Sequence, residues 1–357
     1  MRRSHIGRTV ALMKKQLPLA AAIIVISALL VAPLAALQSR PAKDVLRAAN
    51  APWMPGINLA IGEFGSHGTV LGKDYRYPEP GEMDYYLDKG LILFRIPFLA
   101  SRVLDLESGA KPQLTSDIVY LVALIEHAGE RGAYVILDMH DYGRIPPAGL
   151  IGRDEGASEL FAAAWAVIAE RMKVYPNVII GLMNEPYVQT PEEWLAGANA
   201  AIASIRNTGA RQMILVPGTR WSGAHSWIRS GNARVMTGVE DPIDNYAIEV
   251  HQYFDWDSSG TSPYVIPGVG RSRLAAFTEW ARKNGLRAVL GEFGWADNSL
   301  AHTEGENALA FMSENRDVWI GFTYWAGGPW WGDYIFSIEP KNGEDRPQMK
   351  ILQQYML

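Results

Sequence analysis

Short apolar runs rich in β-branched residues alternate with amphipathic segments along most of this chain, and that alternation constrains its fold more than any other feature. Buried strands are predicted near Gly56–Ile61, Leu91–Ile96, Tyr134–Met139, Val178–Met183, Met213–Val216, Tyr246–Val250, Ala288–Leu290 and Gly321–Tyr324. Helices are predicted between several of them, over Thr115–Arg131, Ala157–Tyr175, Pro191–Asn207, Ser272–Asn284 and Glu304–Asn315. The first of these places Ile118, Leu121, Val122 and Ile125 on one face. Thr190-Pro191-Glu192-Glu193 reads as a helix start, with a capping Thr, Pro at the first position and acids in the first turn. About eight strand–helix units in roughly 300 residues predict a single (β/α)8 barrel, an α/β TIM barrel. The rival, a doubly wound open sheet, usually carries a Gly-rich phosphate turn after its first strand. Here the first strand runs into Ile61-Gly62-Glu63-Phe64-Gly65-Ser66 instead.

The ends of the chain divide differently. Residues 1–38 carry Arg2, Arg3, Arg8, Lys14 and Lys15 and no acid. Behind that basic segment, Leu19–Ala32 is a run of fourteen uncharged residues, nearly all apolar, inside an uncharged stretch from Leu17 to Leu37. This is the length of the apolar part of a secretory signal, and the full stretch is just long enough to anchor in a bilayer. The expected organisation is a signal peptide or membrane anchor over 1–37, a linker over 38–52 and a barrel domain over 53–357. The expected localisation is periplasmic or secreted, with any membrane contact made only through 17–37.

Charge and cysteine content exclude several chemistries. Beyond the leader, 28 basic residues face 38 acidic ones. Such an acidic body argues against a nucleic-acid partner. With no cysteine there is no disulfide, thiolate metal site or cysteine nucleophile. The seven histidines show no His-x-His or His-Glu-x-x-His spacing, so no metal or other cofactor is expected.

Barrel chemistry collects where strands end. The polar residues there are Glu63, Arg95, His140 with Asp141, Asn184 with Glu185, His251 with Tyr253, Glu292 and Trp325. Glu185 and Glu292 end the fourth and seventh strands, which can face one another across a barrel mouth. Two carboxyl groups in different protonation states are what hydrolysis of a glycosidic bond requires. Asn184 offers an amide for a sugar hydroxyl, Arg95 and Tyr253 can hold a carboxylate, and His140 and His251 can bind hydroxyls or tune the acid. Trp325 offers a flat face for a sugar ring. Each has a plainer reading: Asn-Glu-Pro is a common turn, strand-end histidines are usually structural, tryptophans are usually core. Gly-Glu-Phe-Gly occurs twice, at 62–65 and 291–294. Only the second copy stands on the seventh strand, so Glu292 is the expected partner of Glu185 and Glu63 a structural or cleft-edge residue.

The order of these motifs resembles glycoside hydrolase family 5. Gly56-Ile-Asn-Leu-Ala60, Phe94-Arg-Ile-Pro-Phe98, Leu137-Asp-Met-His140, Asn184-Glu-Pro186, His251-Gln-Tyr253, Gly291-Glu-Phe-Gly-Trp295 and Tyr324-Trp-Ala-Gly-Gly-Pro-Trp-Trp331 fall in the family's sequence. The stretches 251–261 and 217–227 are similar to those of its secreted endo-β-1,4-glucanases. The resemblance implies Glu185 as acid/base and Glu292 as nucleophile in a retaining, metal-free endo-cleavage of cellulose-like β-1,4-glucan; the alternatives are the same chemistry on another β-glycan (β-mannan, xyloglucan, mixed-linkage glucan or a bacterial exopolysaccharide) and a non-catalytic glucan-binding barrel, and a monomer is expected. The resemblance also implies Arg95, His140, Asn184, His251, Tyr253 and Trp325 around the cleavage point. Tyr142, Trp221, Trp256, Trp330 and Trp331 are candidate sugar platforms, with Tyr142 and Trp330 taken into the expected substrate-binding set. One departure stands out. After Phe98-Leu99 such enzymes commonly continue Trp-Glu, whereas this chain has Ala100-Ser101. The missing ring removes a stacking surface worth ~1 kcal/mol and is expected to alter the glycone-side subsites.

Overall fold

The structure, a computed structural model, describes residues 44–65, 70–107 and 111–357. The leader expected over 1–37 lies outside them. Eight parallel strands close into a barrel: β1 Met54–Leu59, β2 Leu93–Phe98, β3 Tyr134–Met139, β4 Val178–Gly181, β5 Ile214–Pro217, β6 Tyr246–His251, β7 Ala288–Phe293 and β8 Trp319–Gly327. Each pairs with its sequence neighbours and β8 closes on β1. The helices are α1 Pro80–Asp88, α2 Ile118–Glu130, α3 Ala157–Met172, α4 Pro191–Asn207, the one-turn α5 Asn232–Val235, α6 Val269–Lys283, α7 Ser299–Glu314 and α8 Pro347–Leu352, with a further single turn over Ala100–Val103. The expected TIM barrel is therefore observed. Among the described residues no helix is long and apolar enough to cross a membrane.

Local signals set several boundaries. Thr190 accepts from the Glu193 amide at 3.2 Å and Glu193 accepts from the Thr190 amide at 2.8 Å, the reciprocal cap that starts α4. Asn298 caps α7 through the Ala301 amide, so that helix begins five residues before its predicted start. The last two strands also run longer than their apolar cores. Ladder pairing carries β7 past Leu290 to Phe293, which places Glu292 inside the strand instead of beyond it.

Side chains on a strand alternate between two faces, and this layers the barrel interior. At the bottom Met54, Leu93, Ile136, Ile179, Met213, Leu215, Ala247, Val289 and Ile320 form one apolar cluster, joined by Ala48 and Ala51. Those two belong to the segment expected as a linker. Its described part is not a free tether: Ala48 donates to Asn245 Oδ1 at 2.9 Å, and Arg287 reaches the Ala48 carbonyl at 3.1 Å. Two residues further along their strands, Leu93, Ile136 and Ala247 give way to Arg95, Asp138 and Glu249. Another step gives His140 and His251. The barrel thus changes from apolar floor to charged middle to reactive rim.

Buried tryptophans fix the rim from outside. Trp165 of α3 donates to the Leu182 carbonyl at 2.9 Å, just before the Asn184–Glu185 turn. Trp194 of α4 donates to the Pro217 carbonyl at the end of β5 at 2.6 Å. Each indole fills the helix–strand layer and satisfies a carbonyl leaving the sheet, so packing and hydrogen bonding position the same loops.

Candidate active site

Arg95 organises the charged layer. It is fully buried, and its guanidinium makes four hydrogen bonds and one further ion contact. Nε bonds Glu249 at 2.9 Å, and one terminal nitrogen bonds Glu292 at 2.9 Å and Asn58 at 3.1 Å. The other bonds Asn184 at 2.9 Å and lies 3.1 Å from Asp138. This corrects the expectation that Arg95 binds substrate. It has neither surface nor a donor to spare, and acts through the carboxylate above it.

Glu292 is held from both sides. Arg95 donates to Oε1 and Tyr253 to Oε2 at 2.8 Å. Gly291 beside it has no room for a side chain, because an added Cβ would stand 2.2 Å from Glu249 Oε1. Register shifts in the ladder between Val250 and His251, and between Leu290 and Phe293, bracket the two functional residues. Such irregularities at a barrel rim re-aim side chains.

Glu185 is placed differently. It leaves β4 through a left-handed turn with φ 41°, unusual for a residue with a side chain and characteristic of functional sites. Its Oε1 accepts from His251 Nδ1 at 2.8 Å. Burial, reinforced by the charge of Glu292, pushes its carboxyl above the ordinary range, although His251 opposes. Burial also works against a charged His251, but Glu292, Glu185 and Glu249 outweigh it and push the imidazole up to about 10. His140 is likewise opposed by burial yet raised by Asp138, which accepts from its Nδ1 at 2.7 Å. Arg95, His140 and His251 thus set three positive charges against the carboxyls of Asp138, Glu185, Glu249 and Glu292. Of the two facing glutamates, Glu292 is bonded to Arg95 and Glu185 is not, and Glu185 is the one whose burial favours the protonated form.

One donor atom each of Glu185, His251 and Glu292 lie within 4.8 Å of one another. A cation drawn to this trio would compete with the Arg95 and Tyr253 donors on Glu292 and with the Glu185–His251 bond.

The two glutamates open into a cleft of about 930 Å³ lined by His140, Tyr142, His251, Tyr253, Trp325 and Trp331 among others. Trp325 stacks on His140 at 5.9 Å and 18°, and Trp331 meets its edge at 5.4 Å. The Asn184 carbonyl oxygen is fixed by Arg95, while its buried Nδ2 has no partner among the described residues. That leaves the amide free to donate to a ligand. Of the other expected platforms, Tyr142 and Trp221 line the cleft and Trp256 does not. Trp330 is a correction. It turns toward Arg76, whose guanidinium lies 5.8 Å from its ring, and Trp331 takes the cleft side. The two are adjacent in a 3-10 turn, Pro329–Trp331, where successive residues point about 120° apart.

Glu63 does not line the cleft. Burial pushes its carboxyl up to about 7 against the pull of His140, and its Oε2 has no partner among the described residues. It lacks the Arg95–Tyr253 clamp that distinguishes Glu292. At the missing Trp-Glu step, Ala100 is buried and donates to Asp141 at 2.8 Å, while Ser101 is exposed. Neither lines the cleft, so no ring stands in for the absent one at that step. Asp138 and Glu249 escaped the sequence reading because they lie inside strands, but alternation would have found them, each two residues before a rim histidine.

Comparison with known proteins gives the same frame. The family model described as cellulase (glycosyl hydrolase family 5) matches residues 49–328. Endo-beta-1,4-glucanase A of Emericella nidulans is 35% identical over 310 residues, covering 85% of this chain and 92% of that one. Among solved structures, an endo-beta-1,4-glucanase from Xanthomonas axonopodis pv. citri is 39% identical with TM-score 0.81, over 85% of this chain and 98% of that one. Pseudomonas stutzeri endoglucanase, solved with cellobiose, is 37% identical with TM-score 0.78, over 85% and 92%. A matching model that runs from the foot of β1 through β8, on a barrel whose rim brings two glutamates together, shows that this chain is a glycoside hydrolase of family 5.

Proposed function

We propose that the chain is a retaining endo-β-1,4-glucanase in which Glu185 is the acid/base and Glu292 the nucleophile. The carrying observation is the asymmetry of the pair at short range. Glu292 has two strong donors stabilising its negative charge, while Glu185 is buried against a single imidazole. Glu292 attacks the anomeric carbon as Glu185 gives its proton to the leaving oxygen. Glu185, now ionised, then takes a proton from the water that releases the sugar. Asn184 Nδ2 is positioned to bond a hydroxyl beside the reacting carbon, and Trp325 to stack on the ring. The cleft wall carries Trp221, Trp331 and Tyr334 besides Trp325, more aromatic faces than one sugar ring needs, which suits an internal bond of a long chain. The relatives named as endo-β-1,4-glucanases, and the one solved with cellobiose, support a β-glucan as substrate. An export leader would put the enzyme where such polymers are.

The test is reducing-sugar release from a panel of soluble polysaccharides. β-1,4-glucans are expected to be cut with a kcat/KM at least about tenfold above β-mannan, a margin of roughly 1.4 kcal/mol in transition-state binding. Faster cleavage of mannan than of every glucan would reject the substrate assignment while leaving the chemistry intact.

Stereochemistry gives an independent check. Inversion needs room for a water between carboxyls about 6.5–9.5 Å apart, whereas retention uses about 5–5.5 Å. One oxygen of Glu185 approaches one of Glu292 to within 4.8 Å, a nearest-atom closeness that favours the shorter gap. Proton NMR of early product should therefore show the β-anomer first, and an initial α-anomer would exclude the covalent route.

A further inference from the structure

We propose that the leaving-group side of the cleft accepts a β-glucan bearing carboxylate substituents, with Arg220 and Arg229 as the cationic contacts. This rests on the glucanase reading above and adds a substrate class to it. Glu185, which protonates the leaving oxygen, marks that side of the cleft. The Trp221 amide bonds the carbonyl of Pro186, the residue after Glu185, and the cleft wall of that segment is Arg220, Trp221, His225 and Arg229.

Both arginines are exposed, and among the described residues neither has an ion pair or a side-chain hydrogen bond. Several exposed arginines elsewhere on the molecule are matched to acids, Arg153 with Glu193, Arg234 with Glu192, Arg271 with Glu314 and Arg282 with Asp317, and what sets Arg220 and Arg229 apart from the unmatched ones is their place in the cleft wall. The whole chain has a net charge of -5, so two unmatched guanidinium groups in its working cleft run against the general charge. Apart from the two reactive glutamates, the acid lining the cleft is Asp257, whose field acts on Arg273.

The backbone presents Arg220 deliberately. Arg220, Trp221 and Ser222 are all left-handed, with φ of 57°, 57° and 51°. Three such residues in a row persist only when their surroundings over-determine them. Here the Trp221 amide bonds the Pro186 carbonyl at 3.2 Å, Ser222 Oγ bonds the Glu249 carbonyl at 2.6 Å, and the His251 amide bonds the Ser222 carbonyl at 3.0 Å. The same turn lays Trp221 against Tyr187 at 5.1 Å and 10°, with half of the indole still exposed. A sugar ring stacked there carries its substituents past Arg220.

His225 completes the wall as a neutral group. Burial, with Arg229 and Arg273 adding repulsion, holds its pKa below the ordinary value, and Gln252 Oε1 accepts from its Nδ1 at 3.1 Å. Its Nε2 is then an acceptor for a sugar hydroxyl. The paired donors of a guanidinium match the two oxygens of a carboxylate, and a neutral glucan gives them nothing comparable.

The experiment compares carboxymethylcellulose with hydroxyethylcellulose of matched length and degree of substitution. The readout is the ratio of kcat/KM on the charged polymer to that on the neutral one, at about 20 mM and about 300 mM NaCl. In Arg220→Gln/Arg229→Gln the ratio should fall about fivefold at low salt, the sum expected for two solvent-facing ion pairs. It should also lose the salt dependence that the natural sequence shows. Arg220→Lys/Arg229→Lys keeps the charge and should retain more than half of the ratio. A ratio unchanged by the Gln pair, or insensitive to salt in the natural protein, overturns the proposal. Absence of hydrolysis on both polymers by the natural protein would instead reject the glucanase reading on which it stands.

Discussion

Glu292→Gln is expected to lower kcat on soluble β-glucan by on the order of 10³-fold or more, with every substrate affected alike. The amide keeps the shape and the Tyr253 contact but cannot displace a leaving group. It also takes from Arg95 one of its buried anions. Glu185→Gln should cost as much on polymer, yet its loss depends on the leaving group. A dinitrophenolate needs no proton to depart, so dinitrophenyl β-cellobioside should still react through its first step. The covalent intermediate then accumulates, because no base is left to activate water. An initial burst and then slow turnover in Glu185→Gln, and no burst in Glu292→Gln, separates the two roles. The pH profile adds a sign. The acid works only while protonated, so the rate is full below its pKa and is lost as pH rises through it. Burial places that alkaline limb above the ordinary carboxyl range, and in Glu185→Gln it should vanish. Near-normal rates in Glu292→Gln together with a dead Glu63→Gln would transfer the nucleophile to the other Gly-Glu-Phe-Gly copy.

That position along the chain alone favours the second copy shows how much of this protein is legible in its sequence. Strand order is written in apolar runs, and function in the polar residues at their ends, so the barrel and its facing glutamates are readable by counting. What counting misses is decided in three dimensions. Trp330 and Trp331 are equivalent as letters, and the pitch of one 3-10 turn decides which faces sugar. Arg95 reads as a rim residue but lies a layer below, because β2 starts two residues later than its apolar run suggests and continues to Phe98. Segment 44–52 looks like a polar tether, yet its small alanines plug the barrel floor. Arg229 carries no motif, and Arg220 lies in the 217–227 stretch without any sign there of what its side chain faces. What distinguishes the two from other surface arginines is their place in the cleft wall, and spatial neighbours are what a linear pattern does not record.

Arg95→Met should destabilise the fold by about 3–5 kcal/mol near neutral pH and abolish most activity, although Arg95 never touches the cleft. The methionine fills much the same volume, so the loss is electrostatic rather than a cavity. Asp138, Glu249 and Glu292 would share one buried layer without their common cation. Burial alone would raise Asp138, but Arg95 and then His140 reverse this and hold it below the ordinary range. A carboxyl with a lowered folded pKa contributes stability above its unfolded pKa, and loses that contribution as pH falls through the folded value. The gap between Arg95→Met and the natural protein should therefore be widest at neutral pH and should narrow toward acid, where the orphaned carboxyls take up protons. Urea denaturation at pH 7 and about pH 4 reads this directly. Arg95→Lys restores one charge but not the planar fork that makes four hydrogen bonds, and should recover stability more fully than rate. A Met variant as stable as the parent at neutral pH would mean that the carboxylates are satisfied without the arginine. In that case the raised carboxyl of Glu185 would rest on its own burial and on Glu292, independent of the arginine.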